Sequence, residues 1–376
     1  MNVLVAGAGP VGLSAAAALE AAGVPVTVLE AAPYLPENLR ASTFQPPTLD
    51  LLERFGAAQK LIEMGRIARK VQYRDRAGWV AELDFGVLAG DTNHPYRVQC
   101  EQYKLNQVLA ARLRDVRFGA EVTGVDQDAG GVMVTLASGE ELKGSYLIGA
   151  DGGRSRVREA IGVQLEGFTW PERFLVVSTP FAFEEVIPRL ADVSYFADPE
   201  EWFFLLRVRD LWRVMFPTRE EEQEADILSD AGVQARLQRV FPGPLYEIRH
   251  RTLYGVHQRV AESYRKGRVF LAGDAAHLNN PLGGMGMNGG IHDALNLAEK
   301  LLSGDLDAYE RQRRPVALEY VNTITIGNKR NLEMRDARAQ ERWRAQLAQA
   351  MADRAAEREY MLKISMIASL RKYECA

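Results

Sequence analysis

The feature that most constrains this chain is its start, where short elements of alternating type flank a glycine-rich turn. Residues 2–6 form a β-rich run, residues 10–22 an alanine- and leucine-rich helical run, and residues 25–29 a second β-rich run. Two consecutive strands that are joined by a helix lie parallel, with a right-handed crossover. The chain therefore begins with a βαβ unit, and we expect an α/β fold.

The turn inside this unit reads G-x-G-x-x-G and consists of Gly7, Gly9 and Gly12, while Glu30 ends the second strand. The first glycine permits a tight turn, the second lets the backbone approach a pyrophosphate, and the third allows close helix–strand packing. The helix N-terminus offers N–H groups to phosphates. A carboxylate at Glu30 accepts hydrogen bonds from a ribose and disfavours a 2′-phosphate. The motif predicts a dinucleotide site, and the alternative is a glycine-rich turn that only packs a helix.

Composition excludes several classes of protein. The 376 residues contain 46 Lys and Arg against 50 Asp and Glu, a net charge of −4, so the basic excess of a nucleic-acid-binding protein is missing. Cys100 and Cys375 are too few for a disulfide framework, and the histidines lack the spacing of metal ligands, so we expect no metal. Cys100 is expected to be a buried, inert thiol. The N-terminus does not resemble a signal peptide, and we expect a cytoplasmic protein.

The period of the hydrophobic pattern changes twice in the later parts of the chain. Residues 121–142 alternate with a period of two and predict an antiparallel meander, which leads into an apolar strand from residue 146. Aromatic β-rich runs at residues 174–180, 192–196, 202–208 and 211–216 predict a second, antiparallel sheet. From residue 305 onward the pattern is helical and rich in charge.

Two further motifs follow the first in order, D-G-G-R-S-R-V-R at residues 151–158 and G-D-A-A-H at residues 273–277. With these motifs the chain resembles, over nearly its whole length, the class A FAD-dependent aromatic hydroxylases of the p-hydroxybenzoate hydroxylase type. The resemblance implies a Rossmann-like FAD-binding domain built from residues 1–72, 95–172 and 250–305. It also implies a substrate-binding β-sheet domain built from residues 73–94 and 173–249, and a helical region over residues 306–376.

The resemblance also assigns cofactor contacts. Arg40 matches an arginine beside the pyrophosphate and the flavin edge, and Gln102 matches a residue on the ribityl chain. Asp151 belongs to a motif that serves both FAD and a transient nicotinamide cofactor, and Asp274 matches the acid that binds a ribityl hydroxyl. The predicted FAD-binding residues are Gly7, Gly9, Gly12, Glu30, Arg40, Gln102, Asp151, Asp274, Gly286, Met287 and Asn288.

Residues 281–288 match the loop P-x-x-G-x-G-x-N that lies along the flavin ring in this family, with Met285 where Gln or Lys is common. A helix that starts near Asn288 directs N–H groups at the anionic part of a reduced flavin. Pro281, Gly284 and Gly286 are therefore the predicted catalytic environment, with room at the two glycines for the ring and for oxygen. No side-chain base is identified, and His277 is interpreted as structural.

Substrate residues are predicted from the second sheet. If Arg209 and Asp210 form a two-residue turn, then Leu206 lies opposite Arg213, and Phe204 lies opposite Met215. In the family one face of this sheet covers the flavin and contacts the substrate. The resemblance assigns this role to the face that carries Arg213. This arginine would pair with a substrate carboxylate or phenolate. The predicted substrate residues are Tyr195, Phe204, Arg213 and Met215, and the alternative is that these side chains only form the core.

The resemblance implies a monooxygenase in which NADH or NADPH reduces tightly, non-covalently bound FAD and oxygen adds at C4a. The resulting hydroperoxide then hydroxylates a phenolic or hydroxypyridine-like ring. The expected partner is a small aromatic substrate, and the protein is expected to be a monomer or a homodimer. A quinone-biosynthesis ring hydroxylase, another flavin oxidoreductase and a non-catalytic FAD-binding protein remain alternatives. The apolar stripe within residues 361–370 caps the pocket, packs on the core or contacts a membrane or partner, with core packing as the default.

Overall fold

The structure is a computed structural model that describes residues 1–37, 39, 41–243 and 245–373. Arg40 and Cys375 lie outside these described residues. The elements as far as residue 160 are β1 (Val3–Ala6), α1 (Pro10–Ala21), β2 (Val26–Glu30), β3 (Thr43–Phe44), α2 (Pro46–Glu53), α3 (Ala57–Met64), β4 (Arg66–Ala68), β5 (Lys70–Asp75), β6 (Gly78–Asp84), β7 (Arg97–Gln99), α4 (Gln102–Ala110), β8 (Val116–Phe118), β9 (Val122–Gln127), β10 (Val132–Leu136), β11 (Glu141–Gly144), β12 (Tyr146–Gly149) and α5 (Arg156–Ala160).

The second part of the chain contains long strands and then helices. Its elements are β13 (Leu165–Thr179), α6 (Phe183–Val186), β14 (Val193–Phe196), β15 (Phe203–Val208), β16 (Leu211–Pro217), α7 (Glu224–Leu228), α8 (Asp230–Val240), β17 (His250–Ala261), β18 (Arg265–Lys266), β19 (Val269–Leu271), β20 (His277–Leu278), α9 (Gly286–Ser303), α10 (Leu306–Pro315), α11 (Asn322–Leu332), α12 (Ala337–Ala350), α13 (Arg354–Ile364) and α14 (Ile367–Tyr373).

The first sheet has the strand order β18-β19-β12-β1-β2-β8. Strand β1 pairs in parallel with β2 and β12, as the βαβ interpretation predicted. All four of its residues are buried, and α1 packs against both β1 and α9. The meander β9-β10-β11 forms a separate small sheet. The carboxyl ends of β1, β2 and β12 meet at one edge, where open α/β sheets place their ligands.

The second sheet has the order β20-β17-β13-β16-β15-β14-β5-β6. Leu206 lies opposite Arg213 and Phe204 opposite Met215, which confirms the predicted two-residue turn. The two faces belong to different hydrophobic clusters: Trp202, Phe204, Leu206 and Met215 on one face, and Phe203, Leu205, Trp212 and Val214 on the other. Strand β13 runs across the domain boundary expected at residue 172, and the division into domains stays a prediction.

The C-terminal helices α10 to α14 cover the loop before α9 and one face of the second sheet. Met361, Ile364, Met366 and Ile367 are buried in two hydrophobic clusters, so the predicted apolar stripe packs into the interior. The buried carboxylate of Asp91 binds two arginines of this region. Within the described part of the chain, no helix combines the length and apolar character that a membrane crossing requires.

Candidate active site

A cleft of about 650 Å³ opens at the carboxyl ends of β1, β2 and β12. Helix N-termini from α1 and α5 border it, together with the start of α4 and the turn after β19. The structure brings to this one cleft the predicted cofactor residues Gly7, Gly9, Glu30, Gln102, Asp151, Asp274 and Met287. Residues far apart in the sequence therefore converge on one site.

The three motif glycines have different surroundings. Gly7 has a φ of +102°, and a Cβ there would lie 2.4 Å from the carbonyl oxygen of Ala150. At Gly12 a Cβ would lie 2.0 Å from the carbonyl oxygen of Gly7, so α1 packs on the turn as predicted. A Cβ on Gly9 would have no atom within 4 Å. Since α1 begins at Pro10 without an acidic residue in its first turn, its positive end is open to a phosphate.

Glu30 is held in place by backbone N–H groups that follow β1 and β2. One carboxylate oxygen accepts the N–H of Ala8 at 2.7 Å and the other accepts the N–H of Ala32 at 2.9 Å. Each carboxylate oxygen has a second lone pair, so Glu30 can still accept hydrogen bonds from ribose hydroxyls. The geometry fits the predicted role.

Asp151 accepts hydrogen bonds at the start of helix α5, whose N-cap residue is Ser155. Its carboxylate accepts the hydroxyl of Ser155 at 2.5 Å and the N–H of Val157 at 3.1 Å. Burial raises the pKa of Asp151, although these hydrogen bonds act in the opposite direction. Arg158, which the sequence left without a role, donates to the carbonyl oxygens of Gly153 and Ala275, each at 3.0 Å. This buried guanidinium joins the two later motifs.

The loop before α9 requires glycine for its backbone. Gly283 and Gly284 have φ values of +117° and +64°. A Cβ on Gly284 would lie 3.1 Å from the Cβ of Thr43, and a Cβ on Gly286 would lie 3.1 Å from Oδ1 of Asn279. These glycines therefore let neighbouring side chains approach, and the room predicted there for the ring and oxygen stays a prediction.

Asn288 uses its side chain to hold this loop. Its Oδ1 accepts the N–H of Gln45 at 2.9 Å, and its Nδ2 donates to the carbonyl oxygens of Thr43 and Gly284 at 2.8 and 2.7 Å. The amide is thus fully engaged within the protein. The predicted cofactor contact at Asn288 stays a prediction, and the backbone N–H groups at the start of α9 are available for it, because the N–H groups of a first helical turn have no acceptor within the helix.

Met285 and Met287 point in different directions. Met285 is fully buried in a cluster with Val316, Val321, Ile324 and Met366, so the residue that departs from the family pattern anchors the loop to the C-terminal helices. Met287 lines the cleft. His277 is buried against Asp293 and does not line the cleft, in agreement with its structural interpretation.

Three of the predicted substrate residues share one hydrophobic cluster with Leu282 of the loop before α9. The ring of Tyr195 stacks on Tyr73 with centroids 5.6 Å apart and lies 5.5 Å from that of Phe204. Met215 is buried in the same cluster and accepts the hydroxyl of Tyr254 at 3.7 Å. This sheet face and the loop therefore meet, as the prediction requires.

Arg213 is 5% exposed and donates to the hydroxyl of Ser42 at 3.0 Å. Among the described residues, no carboxylate lies within ion-pair distance of its guanidinium. Burial lowers the pKa of Arg213, and the charge of Glu101 opposes this shift. A buried cation whose hydrogen-bond partner is neutral is suited to pair with an anion.

Arg97 is a second buried guanidinium, which the sequence analysis missed. It is 2% exposed, and its Nε donates to Oε1 of Gln45 at 3.0 Å, while Nε2 of Gln45 donates to the carbonyl oxygen of Gly283 at 2.9 Å. Burial raises the pKa of Tyr195, and Arg97 with the backbone of Gly283 opposes this shift. Nothing in the local pattern of β7 distinguishes Arg97 from a surface arginine.

Cys100 is fully buried, and burial raises the pKa of its thiol to about 11, which fits the expected inert thiol. Arg40 lies outside the described residues, so its predicted contact has no structural counterpart.

The fold and the cleft define a flavoprotein with an aromatic sheet placed against its cofactor loop. Residues 1–323 match the family model described as the FAD binding domain, and the chain belongs to this family. It is 35% identical to para-nitrophenol 4-monooxygenase of Pseudomonas sp. strain WBC-3, over 99% of this chain and 97% of that protein. It is 33% identical to 6-hydroxy-3-succinoylpyridine 3-monooxygenase of Pseudomonas putida strain S16, over 88% of each chain.

Among solved structures, p-nitrophenol 4-monooxygenase PnpA from Pseudomonas putida DLL-E4 superposes with a TM-score of 0.90, at 32% identity and with 98% of each chain covered. These likenesses cover 88% to 99% of this chain and confirm the predicted fold class and family. The protein is an FAD-dependent monooxygenase of the aromatic hydroxylase type. The open space at Gly9, the acceptors on Glu30 and the exposed N-terminus of α1 fit FAD.

Proposed function

We propose that this protein hydroxylates a phenolic or hydroxypyridine ring, with NADH or NADPH as the reductant. The ring carries a second, oxygen-bearing substituent at a position away from its hydroxyl, and this substituent is electron-withdrawing or anionic. The observation that carries the proposal is Arg213. It is a buried guanidinium with a neutral hydrogen-bond partner, on the sheet face that meets the loop before α9.

The arrangement of the sheet supports a substrate with polar groups at two positions. Tyr195 lies opposite Phe204, which lies opposite Met215, so two strand spacings separate Tyr195 from Met215 on one face. Arg213 lies two residues before Met215 on this face. In this proposal Arg213 contacts one end of the substrate ring, and Tyr195 with Arg97 contacts the other end. Phe204 and Met215 form apolar walls between these two ends.

The names of two relatives agree with such a substrate. Para-nitrophenol and 6-hydroxy-3-succinoylpyridine are both rings with a hydroxyl and, across the ring, a group that carries oxygen. A neutral, apolar aromatic compound would leave both arginines buried without an anion, so binding should favour the substituted phenol.

The chain's own residues position the ring and exclude water from it. Reduced flavin supplies the activation of oxygen, with transfer of one oxygen atom to the ring. Arg213 binds the anionic substituent, and the apolar walls formed by Phe204 and Met215 shield the ring carbon. Tyr195, whose hydroxyl is near Arg97, hydrogen-bonds the substrate oxygen and favours its electron-rich, ionised form, which makes the ring nucleophilic.

The test uses purified holoenzyme and a panel of phenols and hydroxypyridines with a nitro group, a carboxylate or no second substituent. We expect the substituted compounds to stimulate NADH or NADPH oxidation and, only when oxygen is present, to give a product whose ring has gained one oxygen atom. The product is heavier by that atom where oxygen replaces a ring hydrogen, and the substituent is released and detected separately where oxygen enters at the carbon that carries it. Conversion without oxygen would instead indicate another flavin oxidoreductase. FAD binding without stimulated oxidation by any compound would favour a non-catalytic protein.

A further inference from the structure

A cluster of ionisable side chains lies behind the turn that presents Asp274 to the cleft. We call it the Asp293 cluster, and it consists of His277 on β20, Asp293 on α9 and Arg313 on α10. These side chains are 4%, 1% and 1% exposed. None of them lines the cleft, and the proposed reaction uses none of them.

The carboxylate of Asp293 joins this turn to two helices. Its Oδ1 accepts Nε of Arg313 at 2.7 Å, and its Oδ2 is hydrogen-bonded to Nε2 of His277 at 2.8 Å. The same Oδ2 accepts the backbone N–H of Gly273 at 3.3 Å. Burial raises the pKa of Asp293, but Arg313 and His277 outweigh it and lower the pKa to about 2. The acceptor is therefore a carboxylate at neutral pH.

The turn itself is tightly enclosed. Gly273 has a φ of +61°, and a Cβ there would lie 2.7 Å from Cγ2 of Val11 on α1. A Cβ on Gly290 of α9 would lie 2.9 Å from Cα of Gly273. The backbone of Gly273 is thus held in a left-handed conformation between α1 and α9. The next residue, Asp274, lines the cleft.

We propose that Asp293 is a positioning residue for the cofactor: by accepting the N–H of Gly273 it fixes the turn that presents Asp274 to the ribityl part of FAD, while Arg313 and His277 orient its carboxylate. The inference rests on the proposed role of Asp274. A turn that is already fixed loses little conformational entropy when the cofactor binds. Rigid supporting contacts raise affinity in this way.

The test compares FAD and ADP as ligands of the full chain after removal of its flavin. FAD affinity is measured by quenching of flavin fluorescence, and ADP affinity by competition. Asp293→Ala removes the acceptor and is expected to weaken FAD binding about 10- to 100-fold, the range for a hydrogen bond to a charged group. ADP affinity should stay within about threefold, because ADP occupies the end of the cleft at Gly7 and Glu30.

Asp293→Asn provides a second variant of the same shape in case Asp293→Ala does not fold. Its amide oxygen turns toward Arg313 and its NH2 group then faces Gly273, so the acceptor is lost without a cavity. We expect the same selective loss of FAD affinity. This split between FAD and ADP would not follow from a general loss of stability, which weakens both ligands.

Asn296→Ala is the matched control. Nδ2 of Asn296 on α9 donates to Oε1 of Gln312 on α10 at 2.9 Å. This hydrogen bond joins the same two helices as the Asp293 cluster does, but farther along the chain from the turn. We expect a lower Tm with unchanged FAD affinity. Equal loss of FAD affinity in this control, unchanged FAD affinity in both Asp293 variants, or parallel loss of ADP would overturn the inference. A wild-type protein that does not bind FAD would instead contradict the proposed function.

Discussion

At the scale of single residues, Gly9 and Gly12 show that one motif contains glycines for different reasons. The missing Cβ of Gly12 lets α1 approach the turn, so that position is dictated by the fold. Gly9 has extended backbone angles, with a φ of −76° and a ψ of 177°, which any residue adopts, and open space around its Cα. Nothing in the protein itself requires glycine at residue 9, which agrees with the prediction that this glycine leaves space for a ligand.

Gly9→Val should therefore abolish FAD binding without unfolding the protein. The valine side chain fills the space that the pyrophosphate approaches, while no protein atom lies close enough to clash. The purified variant should be colourless, with a circular dichroism spectrum like that of the yellow wild type. Gly90→Val, at another glycine with nothing within 4 Å of a Cβ, should stay yellow. A yellow Gly9→Val protein would contradict the assignment of the pyrophosphate to this turn.

Asp274→Ala tests the other end of the cleft. Loss of a charged acceptor for one ribityl hydroxyl should weaken FAD binding about tenfold or more, with ADP affinity unchanged. Equilibrium titration of the flavin-free chain measures both affinities. Unchanged FAD affinity would remove the predicted role of this carboxylate and, with it, the function that we infer for Asp293.

At the scale of elements, one carboxylate binds two of the C-terminal helices to an earlier part of the chain. Asp91, with a side chain 2% exposed, accepts hydrogen bonds from Arg358 on α13 and Arg371 on α14, while the arginine side chains are about half exposed. Hydrogen bonding to Arg358 and Arg371 lowers the pKa of Asp91, although burial opposes this shift. The helices that bury Met285 and cover the second sheet are thus partly held by an ionised group.

Asp91→Asn should lower the free energy of unfolding by about 1 kcal/mol near neutral pH, since the arginines keep access to water. A folded pKa below the unfolded value gives stability that is full above about pH 4 and is lost as the pH falls through the folded pKa. The stability difference between wild type and variant should therefore shrink in acid. Urea unfolding of both proteins across this pH range measures it, and a difference that grows in acid would contradict the assignment.

At the scale of the whole molecule, local pattern predicted the elements but not how they come together. The βαβ unit, the meander and the turn at Arg209 and Asp210 are encoded by nearby residues, so the sequence predicted them and the register of Phe204 with Met215. Motif resemblance supplied the cleft residues. Arg97 and Asp293 act through partners far away in the chain, Gln45 and Gly273, and no local period indicates such contacts.

Arg213 connects two parts of the chain that are far apart in sequence, because it lies on the second sheet and donates to Ser42, which precedes β3 of the small sheet β3-β7-β4. A buried guanidinium without a carboxylate partner does not favour folding, since its desolvation is not offset by an ion pair. We therefore interpret Arg213 as a residue that contributes to function although it lowers the stability of the fold. This interpretation predicts opposite effects of one substitution on two measurable quantities.

Arg213→Met should weaken binding of the substituted phenol about 10- to 100-fold, as expected for loss of a hydrogen bond to a charged group, while the free energy of unfolding stays the same or rises. Flavin absorbance during substrate titration measures the first quantity and urea unfolding the second. Arg207→Met is the matched control, because Arg207 lies on the opposite face of the same sheet and pairs with Glu184. It should lose a little stability and keep its substrate affinity. If Arg213→Met is instead destabilised and binds the phenol normally, this arginine is a structural residue and the substrate lies elsewhere.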